Sequence, residues 1–255
     1  MNDVIELLMK HRSIRKFKKE PIPDSAVETI LRAAQMASTS SNVQAYSVIA
    51  IKDAALRERI MQLSGNQEYI VECPVFLVWC ADLHRLCRAS AKHAAQGESG
   101  QASDHAHFAD TVENLIVATV DTALAAQNAV IAAESLGYGV VYIGALRNQI
   151  GEVSELLKLP DLVYPVFGMC IGVPDQEPLT RPRLPLDGVL HTDAYQTEKI
   201  EAGIEAYDQI YAEYMRERSG GQADTPWSLQ MRRKIAAPVR LHMKDFLQSK
   251  GFMKR

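Results

Sequence analysis

The sequence predicts a mixed α/β (α+β) fold in which helices pack around a few buried strands. Three observations carry that expectation. Short β-branched or apolar runs at 46–51, 74–81, 140–143 and 163–173 read as strands. Amphipathic stretches separate them, as where Val27, Ile30, Leu31 and Ala34 recur on one helical face. A long stretch from about 110 to 136 is helical in period and apolar on nearly every side, so a core or a partner subunit must cover it.

Taken in order, residues 4–10 form a helix with Val4, Ile5, Leu8 and Met9 as its apolar stripe. Pro21 and Pro23 interrupt the chain before a second helix, which Asp24 or Ser25 can cap. That helix ends in the polar cluster Ser38-Thr39-Ser40-Ser41-Asn42, and the first strand follows. Residues 54–63 read as an amphipathic helix and 74–81 as a buried strand. The segment 89–110, rich in Gly, Ser, Ala, Gln and Asp, reads as a mobile loop or a pair of short helices. Gly137 and Gly139 punctuate the end of the long helix, and a strand at 140–143 runs to Gly144. A short helix at 150–157 precedes a fully buried strand at 163–173. Beyond Pro174, Pro178, Pro182 and Pro185 forbid regular structure and leave an extended arm. Helices at 201–218 and 228–248, joined by a flexible loop at 219–224, complete the chain. No internal repeat or domain boundary stands out, so 1–255 is expected to be one domain, with the arm and a helical excursion occupying about 174–255.

Composition narrows the function. The chain has 255 residues, 47% of them hydrophobic, which supports a folded core, and a formal charge of -3 gives no global basic field for nucleic acid or an anionic membrane. No apolar run approaches the ~20 residues of a membrane span, and no signal core opens the chain, so a cytoplasmic location is expected. Cys73, Cys80, Cys87 and Cys170 form no C-x-x-C pair and read as free thiols. His84, Cys87, His93, His105 and His107 are spaced too irregularly for a zinc site, so no metal is expected.

The sequence has no G-x-S-x-G, P-loop or H-E-x-x-H, and Gly137-x-Gly139 follows a helix, the wrong context for a dinucleotide fingerprint. No catalytic side chain is expected. Polar clusters suited to holding a ligand remain. The most informative is His11-Arg12-Ser13-Ile14-Arg15-Lys16-Phe17, whose guanidiniums, hydroxyl and imidazole suit phosphate. On residue types alone, a basic helix end complementing its own dipole explains the run equally well.

Four stretches in register go further: His11-Arg12-Ser13-Ile14-Arg15, Ala132-Ala133-Glu134-Ser135-Leu136-Gly137, Tyr142-Ile143-Gly144-Ala145-Leu146-Arg147-Asn148 and Arg181-Pro182-Arg183-Leu184-Pro185. With them the chain resembles, over nearly its whole length, the NADPH-dependent flavin oxidoreductases of the oxygen-insensitive nitroreductase group. The similarity continues into Tyr211-Ala212-Glu213-Tyr214 and Trp227-Ser228. It implies a nitroreductase-like fold, a central and mostly antiparallel sheet flanked by helices, with the long helix at a dimer interface. It also implies a homodimer holding two non-covalent FMN molecules where the subunits meet.

Carried over residue by residue, the resemblance assigns His11, Arg12, Ser13 and Arg15 to the phosphate and the flavin's polar edge. Thr39, Ser40 and Ser41 fall to the ribityl chain or ring, and Gln67 and Tyr69 to the polar edge. Tyr142, Ile143, Gly144 and Ala145 supply the turn whose backbone approaches the ring, and Arg181 and Arg183 complete a cationic cage. The implied reaction passes hydride from NADPH to FMN and on to nitroaromatics, quinones, azo compounds or free flavin in a ping-pong sequence. Alternatives are a dedicated reductase supplying reduced FMN to a partner, or a flavin-binding redox sensor. Two departures stand out. Gly144-Ala145 replaces a Gly-Gly pair, and the loop after Arg218 lacks further arginines, leaving Arg216 and Arg218 for the nicotinamide 2′-phosphate and NADH open as a second reductant.

Overall fold

A computed structural model describes residues 2–94 and 109–255. The described residues divide into two compact units, one running to Pro178 and including His242–Arg255, the other Leu179–Leu241.

The first unit is built on four antiparallel strands in the order β1-β2-β4-β3, with β1 at Tyr46–Ala50, β2 at Val75–Asp82, β3 at Gly139–Ile143 and β4 at Val163–Gly172. Every pair is antiparallel, as the sequence implied through its family resemblance. The two central strands are apolar almost throughout because both sheet faces are covered. Their residues alternate between two cores. Leu77, Trp79 and Met169 pack with α2 (Asp24–Gln35) and the long helix, while Phe76, Val78, Cys80 and Cys170 face α3 (Ala54–Leu63) and the short helix at Ile150–Leu156.

The remaining helices of this unit are α1 (Asp3–Met9), α4 (Tyr69–Glu72), α5 (His84–Ala94), α6 (Val112–Ser135, the long helix), α7 (Ile150–Leu156) and α10 (Met243–Ser249). In α6, Ala118, Thr122, Ala125, Ala126, Ala129 and Ala133 are buried, whereas Ile116, Val120 and Leu124 are about half exposed on the other side. Small residues on the packed face let the helix lie close to the sheet. By length and composition α6 could cross a membrane, contrary to the expectation that no run approaches that size. The three acids Glu113, Asp121 and Glu134 interrupt the run in sequence but leave its mean character apolar.

Other expectations need correction. Neither Asp24 nor Ser25 caps α2. Its N-cap is Pro23, with no side-chain cap, and Asp24 lies inside the first turn, where it accepts from Lys52 Nζ at 3.2 Å. The single helix expected at 228–248 is two, α9 (Trp227–Ala236) and α10, because Pro238 has no N–H to continue the ladder. Part of the 89–110 segment is helical, since α5 extends to Ala94. His105 and His107 lie outside the described residues, and no metal-binding cluster occurs among those described.

In the second unit α8 (Thr197–Arg218) packs on α9 through Tyr207, Tyr211 and Trp227, with Tyr207 and Trp227 edge-on at 5.6 Å. The loop expected to be flexible at 219–224 is a bonded turn, where Ala223 N donates to Ser219 Oγ at 2.8 Å.

Candidate flavin site

The basic run after α1 is extended, not a frayed helix end. Ser13 bridges Val140 in parallel, Ile14 N donates to Val140 O at 2.9 Å, and Lys18 N donates to Val173 O at 2.9 Å. Ile14 and Phe17 anchor it in the core. The run therefore lies along the free edge of β3. Gly139 permits the approach, since a Cβ there would lie 2.5 Å from Ile14 Cγ1.

Each polar side chain of the run has a distinct place. His11 Nδ1 lies 2.7 Å from Glu134 Oε1 on the last turn of α6. A carboxylate only accepts, so the ring carries its proton at Nδ1 on that side. Arg12 donates to Glu177 Oε1 at 3.2 Å and to Pro178 O at 3.3 Å, across to the start of the arm. A cleft of about 320 Å³ beside it mixes Lys10 and Arg12 with Glu134 and Glu177, so it is no simple anion pocket. Arg15 is exposed and lies close enough to the Tyr69 phenol to act on it electrostatically. Burial pushes that phenol's pKa up, against the lowering pull of Arg15.

Two more of the expected clusters gather near this edge. Gln67 and Tyr69 lead into and open α4, just before β2. The turn Gly144–Gln149 packs on α3 and β4, and Asn148 Nδ2 is 3.7 Å from where a Cβ on Gly65 would stand. Tyr142 faces the α6 side, where its hydroxyl donates to Gln127 Oε1 at 3.4 Å and its ring meets Phe167 edge-on at 4.9 Å. Burial first, and Glu134 second, raise its pKa. Ile143 and Ala145 are buried, and Gly144 is half-buried.

Thr39, Ser40 and Ser41 are not brought to this edge. They precede β1, the opposite edge strand, and are tied to α6 at Asp121, where Ser40 N donates to Oδ1 at 3.0 Å. His11 is tied to the same helix at Glu134. At ~1.5 Å rise per residue, those two anchors stand about 20 Å apart.

The four remaining arginines belong to the second unit. Arg183 Nη1 donates to Arg181 O at 2.7 Å, and Tyr207 OH donates to Pro182 O at 2.8 Å, which fixes the tripeptide on α8. Arg216 and Arg218 are exposed on the last turn of α8, where they also complement its dipole. Sequence reasoning assigned no role to Asp121 or Glu134. A lone acid inside an apolar helix was the available signal for Asp121.

The comparisons with known proteins identify the family and the fold. The sequence model described as "Nitroreductase family" matches residues 8–173, and that described as "Nitroreductase family, C-terminal domain" matches residues 181–255. The break between them falls beside the boundary of the two units at Pro178. The chain is 40% identical to the "NADPH-flavin oxidoreductase" of Vibrio harveyi, covering 100% of both chains. It is 38% identical to the "FMN reductase (NADPH)" of Bacillus subtilis, again covering 100% of both. The solved structure of B. megaterium NfrA1 superimposes with a TM-score of 0.92 at 40% identity, covering 99% of this chain and 100% of that one. On the match along both units and the shared fold, the chain belongs to the nitroreductase family.

Proposed function

We propose that the chain is an enzyme, an FMN-dependent NADPH oxidoreductase acting as a cytoplasmic homodimer. The observation that carries this reading is the basic run held extended on the β3 edge, with Arg15 close to Tyr69 and the 144–149 turn following β3. FMN fits such donors. Its phosphate is a dianion, and guanidinium, hydroxyl and main-chain N–H groups are the partners that anion takes.

Ser13 and Arg12 bind the phosphate, and His11, with Nδ1 committed to Glu134, turns Nε2 to the ligand. Arg15 places positive charge at the flavin's polar edge, to which Tyr69 and Gln67 also contribute. The backbone of 142–145 forms the wall against the ring. The chemistry FMN supplies when bound is two-electron transfer, accepting hydride from NADPH in one half-reaction and reducing the acceptor in the next. Orientation and charge are what the protein adds, so no side-chain acid or base is required.

Thr39, Ser40 and Ser41 serve the site of a second copy, which accounts for their distance from the basic run. The exposed Ile116, Val120 and Leu124 give α6 an apolar seam for that copy. Arg181 and Arg183 form the second unit's cationic pair for the cofactor's anionic edge, and Arg216 with Arg218 contacts the nicotinamide 2′-phosphate. Free thiols at all four cysteines suit a reducing compartment. Nitroaromatics, quinones, azo compounds and free flavin are the acceptors. A second reading, delivery of reduced FMN to a partner protein, draws support from the name of the Bacillus subtilis relative.

Initial rates test the scheme. NADPH varied at several fixed quinone concentrations gives parallel double-reciprocal lines if the acceptor enters after the nicotinamide leaves. Intersecting lines contradict it. Reduced FMN appearing in an ultrafiltrate during turnover supports the second reading.

A further inference from the structure

Asp121 sits midway along α6 and is 1% exposed, between Val120 and Thr122 and one turn from Ala125. A carboxyl group in such surroundings is unfavourable unless its oxygens find donors. Both oxygens are committed to one loop. Oδ1 accepts from Ser40 N at 3.0 Å and Oδ2 from Ala45 N at 3.1 Å.

Between those two anchors the backbone is strained. Ser41 and Gln44 have φ of 46° and 50°, in the left-handed region that most side chains avoid, and Asn42, whose residue type tolerates that region, has φ of 56°. Such residues persist where the surroundings over-determine them, and they gather at binding sites. Backbone bonds hold part of the turn, with Val43 N donating to Ser40 O at 2.9 Å and Tyr46 N to Gln44 O at 2.8 Å, while the side-chain bonds of Gln44 Nε2 to Asn42 O at 3.4 Å and to Asn42 Oδ1 at 3.3 Å are long. The sheet fixes only the end of the segment, where Ala45 O accepts from Asp82 N at 2.9 Å beside the Tyr46–Ala81 pair, and residues 41–44 lie outside the β1–β2 register.

We infer that Asp121 is a positioning residue for the cofactor, clamping the 40–45 segment in the strained shape that presents the hydroxyls of Thr39, Ser40 and Ser41. The inference rests on the reading that those three residues contact FMN. Asp121 touches no reacting atom and acts only through the loop. Because Val120 and Leu124 on the same helix are exposed and apolar, the clamp also ties the loop to the seam proposed for a second copy.

The test compares FMN titrations and the visible circular dichroism of bound flavin for wild type, Asp121→Asn, Asp121→Asn/Gln44→Gly and Ser41→Ala, with thermal unfolding recorded for each. Asparagine keeps the shape but has one acceptor oxygen, so one of the two N–H groups loses its partner. Asp121→Asn is expected to weaken FMN binding roughly tenfold, the effect of one hydrogen bond to a charged group, and to alter the dichroism. Adding Gln44→Gly removes part of the strain the clamp opposes and restores affinity to within about threefold of wild type.

If Asp121→Asn binds FMN like wild type while Ser41→Ala binds it more weakly, the loop is a cofactor contact but Asp121 is not its clamp, and the inference is overturned. Weakened binding that Gln44→Gly does not restore overturns it as well, since Asp121 then acts through helix packing. Ser41→Ala with unchanged affinity and dichroism removes the underlying reading of the loop, and the inference with it.

Discussion

Cys80 illustrates how much a single residue's surroundings decide. It is fully buried on β2, and burial, helped by the neighbouring Asp82, pushes its thiol pKa up to about 12 from 9.0. Between those two values the unfolded chain has lost the thiol proton and the folded chain still holds it. The unfolded state then binds fewer protons, so stability falls as pH rises through that window, by up to about 1.4 kcal/mol per pH unit. Urea unfolding of wild type and Cys80→Ala at pH 8, 9 and 10 should show a steeper decline in wild type above pH 9. Equal slopes would contradict the burial account. The residue types of His11, Arg12, Ser13 and Arg15 suited an anion but fitted a basic helix end equally well, and the family resemblance decided between them. Their partners were not legible, because the bonds of His11 to Glu134 and Arg12 to Glu177 join residues more than a hundred positions apart.

Among the elements, those with a clear hydrophobic period were readable and those set by distant contacts were not. Strand β4 and helix α3 follow directly from runs of apolar residues with the right spacing. The end of α9 was missed because the helical pattern continues past Pro238, and only the missing N–H breaks it. The extended course of residues 11–17 was missed for another reason. It depends on a bridge to β3, formed because Gly139 lets Ile14 sit against it. Gly139→Ala places a methyl within 2.5 Å of Ile14 Cγ1 and pushes the basic run off the edge. We expect it to lower stability by about 1–3 kcal/mol, in the range of overpacked cores, and to weaken FMN binding in the same variant. Chemical unfolding and a flavin titration check both, and an unchanged flavin affinity would detach the edge from the site.

For the molecule as a whole, α6 joins fold to function. Its alanine face packs the sheet, Asp121 and Glu134 hold the hydroxyl loop and the basic run, and Ile116, Val120 and Leu124 face outward. The sequence showed that such a helix must be covered on more than one side, and among the described residues Ile116, Val120 and Leu124 stay about half exposed. A second copy is the remaining cover in this account, and it also brings the hydroxyl loop to the basic run. The direct test is to determine, on the same preparation, molar mass by light scattering and FMN released by acid. The account predicts particles of twice the chain mass carrying one releasable FMN per chain, and loss of both the dimer and the flavin in Leu124→Asp. A monomer that binds FMN at full stoichiometry would contradict it.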